Sequence, residues 1–357
     1  MTEALDEALA GGAVGLSTGL IYTPGSYADA AEITALAAVA ARHGKPYVTH
    51  LRDEMSGVEN ALEEAIAIAR DSGAALHVSH HKTAGKYAWG RTEVTLARLA
   101  ELRESGMDVT CDVYPYTAGS TKLSAMLPPW AHDGGHARLL ERLRDPGRRD
   151  ALRKAIAEGV PGWENTVGNG GWDRIVVAGA PQHAEYQGRT IAALADAAGV
   201  DAVDLVAELL LGEDDDVTII SHSMCEDDVR RVLAAPFAMI GSDGVPTPGR
   251  PHPRWAGTFA RVLGHYTRDA GLFDLPEAVR KMTGATAARF GLADRGVLRD
   301  GAHADLVVFD PARVADRATF AEPLTPPEGV RLVVVGGAVA VRDGVLTAAR
   351  AGRVVAV

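Results

Sequence analysis

The chain has 357 residues, 47% apolar and 5% aromatic, and a formal net charge of −11. That length allows one large domain or two moderate ones with ample core, and the acidic balance excludes a general nucleic-acid binder, which needs a basic surface. No apolar run approaches the roughly 18 residues of a membrane span, the first residues lack the basic and apolar regions of a signal peptide, and two distant cysteines, Cys111 and Cys225, fit a cytoplasmic protein better than a disulfide framework.

The first half repeats a βα unit. Residues 13–18 read as a short strand, followed by a loop with Pro24 and Gly25. Ser26 and Asp29 look like a capping pair, then Ile33, Leu36, Ala37 and Ala40 recur at helical spacing until Gly44. Residues 46–51 form the next strand, and Val58, Leu62, Ala65, Ile66 and Ala69 mark one face of its helix. Residues 76–81 repeat the pattern, with Val94, Leu96, Leu99 and Leu102 on the following helix. Residues 107–113 are a fourth strand leading into Tyr114-Pro115-Tyr116. Strands alternating with helices in this way predict a parallel sheet.

The rhythm breaks near Pro128. Residues 129–215 read as an insertion over the mouth of the sheet, with an exposed helical stretch over 138–157, a flexible glycine-rich loop at 168–171, and strand candidates at 174–178 and, just beyond, 217–220. The βα pattern resumes at 237–244, and two helical stretches run to about Gly291. From about 292 the tail shows short β runs separated by Gly and Pro turns, which predicts a small β segment. The expected domains are therefore 1–128, 129–215, 216–291 and 292–357.

Two of these strands end in histidine: Thr49-His50-Leu51-Arg52 and Ser79-His80-His81-Lys82. In a (β/α)₈ barrel the C-terminal strand ends form the reactive face, and imidazole is a good ligand for Zn²⁺. His50 and His80 are thus candidate metal ligands, whereas His81 should point the other way. Asp243 also ends an apolar strand and could ligate a metal or act as general base and acid, although Asp in this position often caps the next segment. The chain has only six lysines against thirty arginines, which singles out Lys82 beside the histidine pair. With Arg254, Tyr22 and Tyr114 it would place cationic and hydroxyl groups on several loops at one rim, suited to an anionic small substrate.

These segments resemble the N-acyl-D-amino-acid deacylases, or D-aminoacylases, of the amidohydrolase superfamily. The similarity is carried by Gly15-Leu16-Ser17-Thr18-Gly19-Leu20-Ile21-Tyr22-Thr23-Pro24-Gly25, the two histidine motifs, Asp112-Val113-Tyr114-Pro115-Tyr116, Gly241-Ser242-Asp243-Gly244 and His252-Pro253-Arg254. The resemblance implies a partial (β/α)₈ TIM barrel of the metal-dependent hydrolase type, about strands 4–8, with an inserted subdomain and a C-terminal β-sandwich segment. It implies Zn²⁺ held by His50 and His80, Asp243 as the catalytic carboxylate, and Tyr22, Lys82 and Arg254 on the substrate carboxylate or scissile carbonyl. The implied reaction is hydrolysis of an N-acyl-D-amino acid to a carboxylate and a D-amino acid. The family's His-x-His and zinc-ligating cysteine belong to its first strands. No His-x-His occurs here, so the third ligand is expected outside this chain, which on this reading is truncated at its N-terminus. The alternatives are a cyclic amidase like dihydropyrimidinase or hydantoinase, which bridges two metals with a carboxylated lysine that the strand at 13–18 lacks, and an inactive fragment.

Overall fold

The computed structural model describes residues 1–245 and 247–355. Five strands, β1 (Leu16–Gly19), β2 (Tyr47–His50), β3 (Leu76–Val78), β4 (Val109–Val113) and, much later in the chain, β8 (Ala238–Ile240), form one parallel sheet in the order β1-β2-β3-β4-β8. Helices between the strands cover it, giving the partial barrel expected from the βα rhythm. The helix Val58–Ser72 buries Val58, Ala61, Leu62, Ala65, Ile66, Ile68 and Ala69, each large apolar side chain contributing about 1.5–3 kcal/mol. Gly73, with φ of 73°, ends it in the left-handed region where glycine carries no Cβ penalty.

Several local expectations shift. Ser26 lies in the short 3₁₀ turn Gly25–Tyr27, and Asp29 alone caps the helix Ala30–Arg42 by accepting from Glu32 N. The helix Thr92–Glu104 turns Thr92, Thr95, Leu96 and Leu99 inward and leaves Val94 exposed, because the two threonines belong to the buried face. The stretch at 138–157 is two helices, His136–Arg144 and Pro146–Glu158, divided where Asp145 precedes a proline that cannot continue a helix. Leu139, Leu140, Leu143, Leu152 and Ile156 on them are buried. Gly168, Asn169 and Gly170 belong to the short helix Thr166–Gly170, whose start is capped by Asn165, so the stretch expected to be a loop is largely helical.

The insertion has its own sheet. Strands β5 (Gly119–Lys122), β6 (Ile175–Gly179) and β7 (Thr218–Ser221) pair antiparallel in the order β5-β7-β6. Only β6 lies within 129–215, and β5 and β7 flank that stretch on either side. A second hydrophobic core, including Leu123, Leu139, Leu143, Ile175, Leu205 and Ile219, packs behind it, separate from the core of the parallel sheet.

The C-terminal strands β9 (Leu306–Phe309), β10 (Val330–Val335), β11 (Ala338–Arg342) and β12 (Val345–Leu346) form one four-stranded antiparallel sheet. Among the described residues no helix is long and apolar enough to cross a membrane.

Candidate metal and substrate site

The C-terminal ends of β1–β4 and β8, with β5 and β7 above them, enclose a cavity of about 840 Å³. Tyr22, His50, His80, Lys82, Tyr114, Asp243 and Arg254 all line it. Six of these residues follow or end a strand of the parallel sheet, so each is delivered by the same βα geometry. Arg254 instead opens the helix Arg254–Arg261 that follows the loop after β8.

Two side chains needed a conformation that few residues adopt. His80 has φ of 36° and Asp243 has φ of 48°. Left-handed backbone at a non-glycine residue is costly and persists where the surroundings over-determine it. At His80 the fixing group is Asp112 on β4: its Oδ1 accepts from His80 N at 2.9 Å while its Oδ2 binds His77 Nε2 at 2.7 Å. His77 Nδ1 is in turn 2.7 Å from Thr110 Oγ1. Burial opposes a charge on Asp112, but His77 overrides it and holds the carboxyl below its usual range. Gly241 makes room for this carboxylate, since a Cβ there would lie 2.8 Å from Asp112 Oδ1.

His50 Nδ1 and His80 Nε2 are 3.0 Å apart. Glu54, in the loop after β2, reaches both rings: its Oε2 is 3.5 Å from His50 Nε2 and its Oε1 is 3.2 Å from His80 Nδ1. The three residues place one donor atom each within 4.8 Å of one another, a spacing that could hold a metal ion. Two nitrogens and a carboxylate oxygen are also the donor types zinc takes. His50 Nε2 is buried without a hydrogen-bond partner among the described residues, which fits a nitrogen reserved for a ligand. Burial holds the His50 ring down to about 3, against the pull of Glu54, so it is a neutral lone-pair donor at ordinary pH. Glu54 is 2% exposed. Its burial alone would raise its pKa, yet His50, Lys82 and His80 hold the carboxyl far below the usual range.

Lys82 lies inside this cluster. Its Nζ donates to Glu54 Oε2 at 2.6 Å and to His80 Nδ1 at 2.7 Å. Burial works against its charge, and the Glu54 carboxylate more than compensates, raising the ammonium above its ordinary value.

The opposite wall carries Asp243 and Arg254. Arg254 Nη2 donates to Asp243 Oδ2 at 2.9 Å. Arg254 is 2% exposed and its guanidinium sits 4.5 Å from the centre of the Tyr114 ring. Nη1 of this buried cation has no hydrogen-bond partner among the described residues, so it is available to an anion entering the cavity. Tyr114 thus acts first as the shelf under Arg254. Tyr22 packs its ring 5.3 Å from that of His50, and its hydroxyl accepts from Thr121 on β5 at 3.2 Å. Burial pushes the Tyr22 phenol up to about 12, so it stays a proton donor at neutral pH. His81 is buried against Thr95 at 2.8 Å, facing away from the rings of His50 and His80.

Sequence reasoning missed Glu54, Asp112 as a positioning group, and Glu164. Glu164 comes from the insertion, lines the same cavity, and accepts from Glu54 N at 2.7 Å. Glu54 could have been found as an acid four residues beyond a strand-end histidine. Glu164 follows no local pattern.

A family profile described as "Amidohydrolase family" matches residues 1–341. The chain belongs to the amidohydrolase family. Its similarity is to one branch in particular. It is 40% identical to the D-aminoacylase of Alcaligenes xylosoxydans xylosoxydans over 356 residues, covering all of this chain and 64% of that protein. It is 40% identical to the N-acyl-D-glutamate deacylase of Bordetella bronchiseptica, whose crystal structure holds zinc and a phosphonate mimic of the tetrahedral intermediate, with a TM-score of 0.78 over 95% of this chain and 62% of that one. A dihydropyrimidinase from Brevibacillus agri is 15% identical, with a TM-score of 0.52 over 96% of this chain and 68% of that one, and shares the fold alone. The chain spans about three fifths of the length of the deacylases it matches.

Proposed function

We propose that this chain carries the catalytic face of a zinc-dependent N-acyl-D-amino-acid deacylase, cleaving the amide bond to release a carboxylate and a D-amino acid. The observation that carries the reading is the pairing, across one cavity, of the donor set His50, His80 and Glu54 with the half-satisfied guanidinium of Arg254. An N-acyl amino acid offers a scissile carbonyl to one and a carboxylate to the other. The 40% identity to D-aminoacylase supports the same assignment.

When bound at His50, His80 and Glu54, zinc supplies a Lewis acid for the amide carbonyl and for water. The chain's own groups do the rest. Arg254 holds the substrate carboxylate through Nη1 and orients Asp243 through Nη2. Asp243 takes a proton from the attacking water on its other carboxylate oxygen and passes it to the leaving nitrogen. Tyr22 donates its phenolic hydrogen at the carbonyl side. Lys82 neutralises Glu54 and fixes the His80 ring, and Tyr114 supports Arg254. The substrate is thus a small anion, with no role for nucleic acid or membrane, and the two free cysteines suit a cytoplasmic setting.

The test is turnover of N-acetyl-D-methionine and its L enantiomer by the full-length protein, stripped of metal and then reloaded with zinc. Zinc-restored hydrolysis of the D form is expected. Absence of zinc-dependent amine release from any N-acyl-D-amino acid would remove the reading.

A further inference from the structure

The site's cations are nearly all committed, and that bears on which D-amino acids can enter. Four cationic side chains line the cavity: Arg52, Lys82, Lys122 and Arg254. Arg52 spends its guanidinium on Glu64, from Nε at 2.9 Å, and on the carbonyls of Ser26 and Ala28 at 3.1 and 2.8 Å. Lys82 is held by Glu54 and His80. Arg254 has the free Nη1, which the deacylase reading assigns to the substrate's α-carboxylate. Lys122 is exposed at the end of β5, with its ammonium 3.4 Å from the Asp215 carbonyl in the acidic run 213–216.

The same cavity also holds the carboxyl groups of Glu54, Asp112, Glu164 and Asp243. The rest of the lining mixes hydroxyl groups, among them those of Ser79, Ser120, Thr166 and Ser221, with apolar side chains including Leu20, Ile21, Met55, Met126 and Trp163. Leu20, Met55 and Met126 are buried, at 3%, 2% and 6% exposure. A second substrate carboxylate would give up hydration beside acids already in place and, among the described residues, would find hydroxyls and apolar carbon but no uncommitted buried cation to receive it.

We propose, resting on the deacylase reading, that the cavity selects N-acyl-D-amino acids with uncharged side chains and rejects those of D-glutamate and D-aspartate. The buried side chains of Leu20, Met55 and Met126 then receive the D side chain, and Arg254 is the one uncommitted carboxylate receptor among the described residues.

The experiment compares kcat/KM of the zinc-loaded full-length protein on N-acetyl-D-methionine, N-acetyl-D-leucine, N-acetyl-D-glutamate and N-acetyl-D-aspartate. The neutral pair is expected to exceed the acidic pair by about 100-fold or more. Lys122→Ala should leave that ratio unchanged. Hydrolysis of either acidic substrate within about tenfold of the neutral ones overturns the proposal, as does a loss of acidic-substrate turnover on Lys122→Ala, which would make Lys122 a second receptor. Failure to cleave any of the four defeats the deacylase reading instead, so the two outcomes are distinct.

Discussion

Asp243 and Arg254 share an ion pair at 2.9 Å, and substitution separates what each does. Asp243→Asn keeps size and hydrogen bonding but cannot move a proton. It is expected to lower kcat by about 10²–10⁴-fold while zinc content, read by elemental analysis, stays at the wild-type level. Near-normal kcat would take Asp243 out of the reaction. Arg254→Ala should act mainly on KM for acylated D-amino acids, and Arg254→Lys should restore little, because an ammonium cannot serve two carboxylates as a planar fork does. Glu164 sets a pH dependence of stability. Burial first, and the nearby Glu54 charge second, push its pKa from 4.5 to about 8. The folded state therefore keeps a proton that the unfolded chain has released, so stability falls as pH rises from about 4.5 to 8. Glu164→Gln retains the acceptor oxygen for Glu54 N. Thermal melts of the metal-free variant should flatten over that window relative to wild type, and parallel curves would contradict the assignment. His50, His80 and Asp243 could be picked out in the sequence because a strand end is a local feature. Glu54 offered only the weaker signal of an acid four residues past His50, and Glu164 offered none, since it closes on Glu54 from 110 residues away.

At the scale of elements, Asp112 stitches two adjacent strands. It receives His77 from β3 and the backbone N–H of His80 just beyond, while sitting on β4. Asp112→Ala leaves a buried imidazole nitrogen without its acceptor and frees the left-handed His80. A loss of about 2–3 kcal/mol of unfolding free energy is expected, measurable by urea denaturation, together with weaker zinc retention. A loss below about 0.5 kcal/mol would show that the strands do not depend on it. The βα elements were readable because their helices present one apolar face each, as on Val58–Ser72. Strand β5 was not: Gly119-Ser120-Thr121-Lys122 has no apolar alternation and is a strand only because β7 lies beside it. The sequence reads as one exposed helix through Pro146, although the proline breaks it, and the charged residues around it mask how much of 139–156 is buried.

For the whole molecule, the surface is uneven. Val307 and Val308 on the edge strand β9 are 57% and 50% exposed, whereas the two cores are closed. Exposed β-branched residues on an edge strand favour association. Val308→Lys is expected to reduce light scattering at high protein concentration without changing activity. Unchanged scattering would mean that the edge is not the adhesive surface.

The sheet β5-β7-β6 rests over the ends of the parallel strands, and each of these two layers is backed by its own core. The cavity between them is therefore a seam, and whatever occupies it bridges two bodies that need not melt together. Without occupant or metal, calorimetry should resolve two overlapping transitions. A zinc-loaded protein with a phosphonate analogue bound should show the two merging into a single, hotter one, because only the joined state binds. Substrate would then serve as mortar as well as fuel, and the protein would be most resistant to heat and proteolysis while at work.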